Sequence, residues 1–363
     1  MKRKWILIAT MVLIVAMLFS SLLIGCKTTT AAAETTATAE TTATADSTAA
    51  ADSTAAAETT TTVAAEKMQE YVLVGAFLQH PVFRMLVREF PAVGKEMGVK
   101  TTIAGPPDWN LDLMREAMEQ TIASKPDGII IFGFDETFTP LINKAVDAGI
   151  PVAVIDSDLP NSKRIFFVGS DWAMIGKELA KGIINATGAK GEIGCSINLG
   201  QTNMQMAIES FKAEIAKNPD MKIVSIQDDK SIIEEANKAA AFMMQAYPDL
   251  AGIVGFDGSS GGGICPAVKE AGKAGKVKVS IIDMLADHLT FLKEGTAQFV
   301  LGQEHGIFAT TALKMLYEVN NSNVHFTSDD RSLGIYPVPQ VMYTGFLEIT
   351  PENVDLFIKA MEE

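Results

Sequence analysis

Three aspartates stand directly after short apolar runs: Asp156 after Val152-Ala-Val-Ile155, Asp257 after Ala251 to Phe256, and Asp283 after Val277 to Ile282. A carboxylate at a strand end can accept two hydrogen bonds from the hydroxyls of a polyol, and such charge-assisted bonds are stronger than neutral ones. A turn or helix-capping role is the alternative for each. A second constellation is Gly258-Ser259-Ser260-Gly261-Gly262, which fits G-x-S-x-G, followed by Asp283 and then His288 or His305 in the order Ser, Asp, His. The acid comes after the very next strand, sooner than an α/β-hydrolase reaches it, and no HGGG-type oxyanion segment is present. A secreted serine esterase using Ser260 is therefore only an alternative to a Gly-rich turn whose NH groups face a cleft. The four histidines, His80, His288, His305 and His325, make no ligand-spaced pair, and Asp156-Ser157-Asp158 alone is a weak metal signature, so neither metal nor cofactor is expected. Cys195 and Cys265 read as buried thiols, with a bridge between them as the alternative.

The elements around these residues alternate. Strand-length apolar runs at Tyr71 to Phe77, Val99 to Ala104, Gly128 to Phe132 and Pro151 to Ile155 are separated by helical spacing over Phe83 to Met97, Leu111 to Ala123 and Phe138 to Ala148. Unbroken apolar runs without alternation indicate strands covered on both faces, hence parallel sheets. After Ile165 to Val168 and a helix over about 173–186, the series restarts: strands at 192–199, 221–227, 251–256 and 277–282, helices at 204–217, 232–245 and 264–271. The late pieces at 297–301, 307–319, 338–344 and 351–361 add to these two sheets, so the chain crosses between them more than once. The expected fold is α/β, with two doubly wound, Rossmann-like lobes of parallel sheet. Ligands of such sheets bind beyond the carboxyl ends of the strands.

The first 66 residues differ in kind. Lys2, Arg3 and Lys4 precede an apolar run from Trp5 to Phe19, and Leu23-Ile24-Gly25-Cys26 looks like a bacterial lipobox, so 1–26 reads as a signal peptide with Cys26 lipidated. An uncleaved transmembrane anchor is the alternative. Residues 27–66 are a Thr/Ala/Glu-rich tract that cannot bury an apolar face and is expected to be a disordered linker. The chain of 363 residues carries a net charge of −14. Because this leader and linker hold four positive residues and six acids, residues 67–363 keep −12. That acidity excludes a general nucleic-acid binder, and three cysteines cannot staple a chain of this length.

Several segments together resemble the sugar-binding type I periplasmic binding proteins, the ribose-binding-protein-like group that serves ABC importers. They are Gln79-His80-Pro81-Val82-Phe83, Gly149-Ile150-Pro151-Val152 with Asp156, Gly169-Ser170-Asp171 with Gly176, and the tail Tyr343-Thr344-Gly345 with Thr350-Pro351-Glu352-Asn353. The resemblance implies a monomer of two lobes joined by a three-crossover hinge, the ligand lying in the interlobe cleft. It divides the folded part into 71–171 plus 304–331 and 172–303 plus 332–363. It also implies ligand contacts from His80, Phe83, Asp156, Gln205, Asp257, Asp283 and Gln303; by position, Trp109 and Trp172 near the mouths of their loops and Asp135 after the third strand are further candidates. Relatives often carry Arg after the first aspartate and near Gln205; here Ser157 follows Asp156. Carboxylates and amides without Arg or Lys suit a neutral sugar or polyol better than a sugar phosphate. The implied function is an extracytoplasmic, non-catalytic solute-binding lipoprotein that delivers its ligand to an ABC permease and touches the membrane only through its lipid. A receptor presenting the ligand state to a chemoreceptor or sensor kinase is the other reading of the same fold.

Overall fold

The structure is a computed structural model and describes residues 67–362. The leader, Cys26 and the linker lie outside the described residues. The first half runs β1 (Glu70–Val74), α1 (Arg84–Glu96), β2 (Lys100–Ala104), α2 (Leu111–Ser124), β3 (Gly128–Phe132), α3 (Thr139–Asp147), β4 (Val152–Asp156) and β5 (Phe166–Gly169). The second runs α4 (Trp172–Thr187), β6 (Gly191–Ile197), α5 (Thr202–Ile215), β7 (Met221–Asp228), α6 (Ile233–Ala246), β8 (Leu250–Gly255), α7 (Gly258–Glu270), β9 (Lys278–Ile282), α8 (Ala286–Lys293) and β10 (Phe299–Gly302). The closing elements are α9 (His305–Asn321), β11 (Val341–Tyr343), β12 (Leu347–Ile349) and α10 (Val354–Glu362).

Two six-stranded sheets result, ordered β11-β5-β4-β3-β1-β2 and β12-β10-β9-β8-β6-β7. All pairings are parallel except β12 against β10. Every residue of β3 and β4 is buried, as the unbroken apolar runs require of strands with helices on both faces. Polar residues start the helices. Asn110 Oδ1 accepts the Leu113 N–H at the head of α2, and Asp171 Oδ1 accepts that of Met174 at the head of α4, each satisfying an otherwise orphaned donor. At Gly176 an added Cβ would lie 2.0 Å from the Ala207 carbonyl oxygen. Only glycine lets α4 and α5 approach this closely.

The chain passes between the lobes three times, at 169–172, 302–305 and 343–347. Helix α9 returns to the first lobe, where Phe308, Leu313 and Leu316 join its core. The tail departs from expectation: β11 pairs with β5, and Tyr336, Val338 and Met342 pack against the first core. Residues 332–363 therefore do not belong whole to the second lobe; the last crossing comes after Tyr343. The apolar alternation of a three-residue strand cannot say which sheet edge it joins. Helix α7 also begins at Gly258, six residues before the apolar spacing indicates, so the Gly-rich segment is helix rather than turn. Cys195 and Cys265 are free and buried on β6 and α7, which removes the alternative of a bridge. Burial pushes both thiols upward.

Candidate functional site

Where the carboxyl ends of the strands face one another, a small cavity lies between the lobes. From the first lobe, β4 presents Asp156 and the segment after β1 presents Phe77, His80 and Phe83. From the second come Asp257 after β8, Asp283 after β9, Gln303 after β10 and Gln201 and Asn203 at the head of α5. Phe77, Asp156 and Asp283 have positive φ, at 37°, 67° and 72°. Non-glycine residues seldom adopt this region, and such strain concentrates at functional sites.

Each carboxylate is held differently. Asp156 is 3% exposed, and its Oδ1 has no partner. Burial first, then Asp283 and Asp257, push its carboxyl up to about 8. Asp283 accepts a hydrogen bond from Gln303 Nε2 at 2.9 Å on Oδ1, and the same oxygen lies 3.8 Å from His305 Nε2. Because Gln303 Nε2 is committed to Asp283, its Oε1 is left buried and unpartnered. Asp257 caps α7: Oδ1 accepts the Ser259 N–H at 2.8 Å and Oδ2 accepts the Ser231 hydroxyl at 2.9 Å. Behind it, fully buried Asp229 accepts hydroxyls from Ser196 at 2.7 Å and Ser260 at 2.6 Å. Burial and the neighbouring Asp257 push Asp229 up to about 6.

Aromatic rings wall the first-lobe side. Phe83 is 3% exposed and packs edge-on against Phe77 and Phe132, with centroids 5.3 and 4.7 Å apart. Trp172 closes the floor, its Nε1 donating to the Asp156 carbonyl at 2.8 Å. His80 bridges the lobes, its Nε2 sharing a 2.9 Å hydrogen bond with Ser259 Oγ.

His80, Phe83, Asp156, Trp172, Asp257, Asp283 and Gln303 thus converge on one cavity. Three other candidates do not. Gln205 is exposed and its Nε2 donates to the Leu199 carbonyl; Gln201 and Asn203 stand in the cavity instead. Because α5 starts at Thr202, Asn203 and Gln205 are two residues apart and face roughly opposite sides at about 100° per residue. Asp135 caps the 3₁₀ turn Glu136–Phe138 by accepting the Thr137 N–H at 2.7 Å. Trp109 forms a layer behind the wall, against Phe77 and Phe134 at 4.8 and 5.3 Å. Phe77, Phe134, Phe256 and Met204 also line the cavity, as does His305, which the sequence offered only as a histidine of the esterase alternative. For Phe134 and Phe256 the signal was available, since each follows a strand as the aspartates do.

The esterase alternative does not assemble. Ser260 is fully buried, donates to Asp229 and accepts the Asp257 N–H at 3.2 Å, completing a capping box. His288 Nδ1 is engaged with the Asp283 carbonyl at 2.8 Å. Asp158 is likewise committed, to Arg164 at 2.7 Å.

A family model described as a periplasmic binding protein domain matches residues 71–322. The chain belongs to that family, as the sequence resemblance implied. A D-ribose/D-allose-binding protein of Pseudomonas aeruginosa is 33% identical over 219 residues, covering 55% of this chain and 66% of that protein. Of solved structures, a glucose-galactose binding protein from Geobacillus stearothermophilus superposes with a TM-score of 0.72 at 25% identity, over 79% of this chain and 99% of that one. An arabinose binding protein from the same organism gives 0.68 at 28% identity, over 80% and 99%. The architecture is that of periplasmic sugar-binding proteins, two α/β lobes with mainly parallel sheets.

Proposed function

We propose that this member of the periplasmic binding protein family is the extracytoplasmic receptor of an ABC importer and binds a sugar or polyol between its lobes. The observation that carries the reading is the convergence of unpartnered buried acceptors, Asp156 Oδ1, Asn203 Oδ1 and Gln303 Oε1, on one aromatic-walled cavity. Buried polar atoms are normally paired, and the hydroxyls of a carbohydrate supply the missing donors while its apolar face meets Phe83. Asp156, Phe83 and His80 engage the ligand from one lobe and Asp257, Asp283, Gln303, Gln201 and Asn203 from the other. Ligand therefore stabilises the closed arrangement, and its release at a permease reopens it. No covalent step is involved. Cys26 carries the lipid that anchors the monomer to the membrane, and 27–66 spaces the lobes from it.

The test is a thermal-shift screen of sugars and polyols on the purified protein, followed by titration of each stabilising compound. A saturable carbohydrate ligand whose affinity falls in Asp156→Ala and Asp283→Ala supports the reading. Absence of any carbohydrate ligand sinks it.

A further inference from the structure

The cavity is not electrically balanced. Asp156, Asp257 and Asp283 line it, fully buried Asp229 stands behind Asp257, and neither Lys nor Arg is among the lining residues. Asp283 and Asp257 both oppose the ionisation of Asp156. His305 does not offset them at neutral pH, because burial holds its imidazole below the usual range despite the pull of Asp283. His80 Nε2 is occupied by Ser259. Of the unpartnered atoms at the cavity, Asp156 Oδ1, Asn203 Oδ1 and Gln303 Oε1 lack a donor and His80 Nδ1 takes either role, while the Gln303 amide is fixed by its bond to Asp283. Isolated buried charge is costly unless an opposite charge joins it. A bound metal does not fit, since among the described residues no group of three or more His, Cys, Asp or Glu is placed to hold one.

We propose that the solute carries a protonated amino group, making it an amino sugar or amino polyol whose ammonium sits among Asp156, Asp257 and Asp283. The inference rests on the reading of this cavity as a carbohydrate site. It departs from the neutral class expected from the sequence, which set the lack of Arg and Lys against an anionic ligand but could not show that the acids are buried together in one cavity. An ammonium brings three donors and a positive charge to a place where the unpartnered carboxylate and amide oxygens are acceptors and the charged lining groups are all acids. Its arrival also ionises Asp156, which in the ligand-free closed cavity holds its proton up to about pH 8.

The test is isothermal titration of the full chain in detergent at pH 7 with pairs that differ in one group: D-glucosamine and D-glucose, D-galactosamine and D-galactose, D-mannosamine and D-mannose, 1-amino-1-deoxy-D-glucitol and D-glucitol. The expected result is at least one pair whose amine binds ten-fold or more tighter than its hydroxyl partner. That amine should release up to about one proton per ligand when heats in phosphate and Tris are compared, and its advantage should shrink in Asp283→Asn. The comparison within each pair is made on the unaltered protein, so it does not depend on a variant folding. If a neutral member binds and its amine binds equally or more weakly, the charge inference is overturned while the carbohydrate site stands. If no amine binds, the charge inference is overturned, and the carbohydrate reading falls with it only where the screen of sugars and polyols is empty as well.

Discussion

His80 and Ser259 belong to different lobes, and the 2.9 Å hydrogen bond between them ties the loop after β1 to the head of α7. Beside this bond the lobes meet at Gly258. A Cβ there would lie 2.8 Å from Val82 Cγ1, 2.9 Å from Asp283 Oδ2 and 3.3 Å from the His80 ring. Val82 and His80 belong to the other lobe and neither is a long flexible chain that swings aside, so the added methyl separates the lobes, while Asp283 must shift within its own lobe.

Gly258→Ala is accordingly expected to weaken ligand binding about ten-fold or more, equivalent to about 1.4 kcal/mol. The gain in helix propensity from alanine offsets part of the cost of the contact with Asp283 in the same lobe. Titration and scattering check this together. Unaltered affinity would mean that the closed contact at Gly258 is not required for binding.

Ser260 supports Asp229 rather than performing chemistry. Ser260→Ala removes one of two hydroxyl donors from a fully buried carboxylate, and the expected cost is about 1–3 kcal/mol of folding stability. Denaturant unfolding measures it. Hydrolysis of p-nitrophenyl esters, tested beside it, should be absent from both proteins; a Ser260-dependent rate would contradict the buried capping role.

Asp156 makes the ligand-free protein sensitive to alkali. Its carboxyl is raised from 3.8 to about 8, so the closed state keeps a proton that the unfolded chain gives up. Stability from this group is complete below about pH 4 and is lost as pH rises toward 8. At about 1.36 kcal/mol per unit the loss is bounded at about 5–6 kcal/mol, and opening of the cleft, which hydrates the carboxylate, holds it below that figure. His305 works in the opposite sense: its lowered value makes stability fall as pH drops below 6.5. The Asp156→Asn difference isolates the aspartate. Melting temperatures between pH 5 and 8 should fall more steeply for the unaltered protein than for Asp156→Asn. Equal slopes would show that Asp156 is ionised throughout.

Much of this architecture is legible in the sequence, for a physical reason. Strands such as Gly128–Phe132 and Val152–Asp156 are covered on both faces, so their apolar runs are unbroken and mark where they end. Strand ends place Asp156, Asp257 and Asp283, and the parallel topology brings those ends to one cleft. What fails is set by less local facts. The glycines at 258 and 261–263 hide a helix start because their low propensity masks the Asp257–Ser260 capping box. Helix α8 and strand β12, eight and three residues long, carry too little periodicity to register and are fixed by packing. A correspondence with relatives that is off by two residues names the side chain on the opposite face of the helix, which is what separates Gln205 from Asn203.

That last difference is measurable. Asn203 is 1% exposed, lines the cavity and has an unpartnered Oδ1, whereas Gln205 is exposed and spends its Nε2 on the Leu199 carbonyl. Asn203→Ala should weaken binding of whatever carbohydrate the screen identifies by about 0.5–1.5 kcal/mol, the net worth of one hydrogen bond. Gln205→Ala should leave affinity within about 0.3 kcal/mol, since only a rim contact with its own loop is lost. Both substitutions sit in the first turn of α5 and replace a polar residue by the strongest helix former, so neither should unfold the helix. The reverse ordering, with Gln205 dominant and Asn203 silent, would require α5 to present its opposite face in the liganded state. It would return the site to the residue that the family resemblance implies.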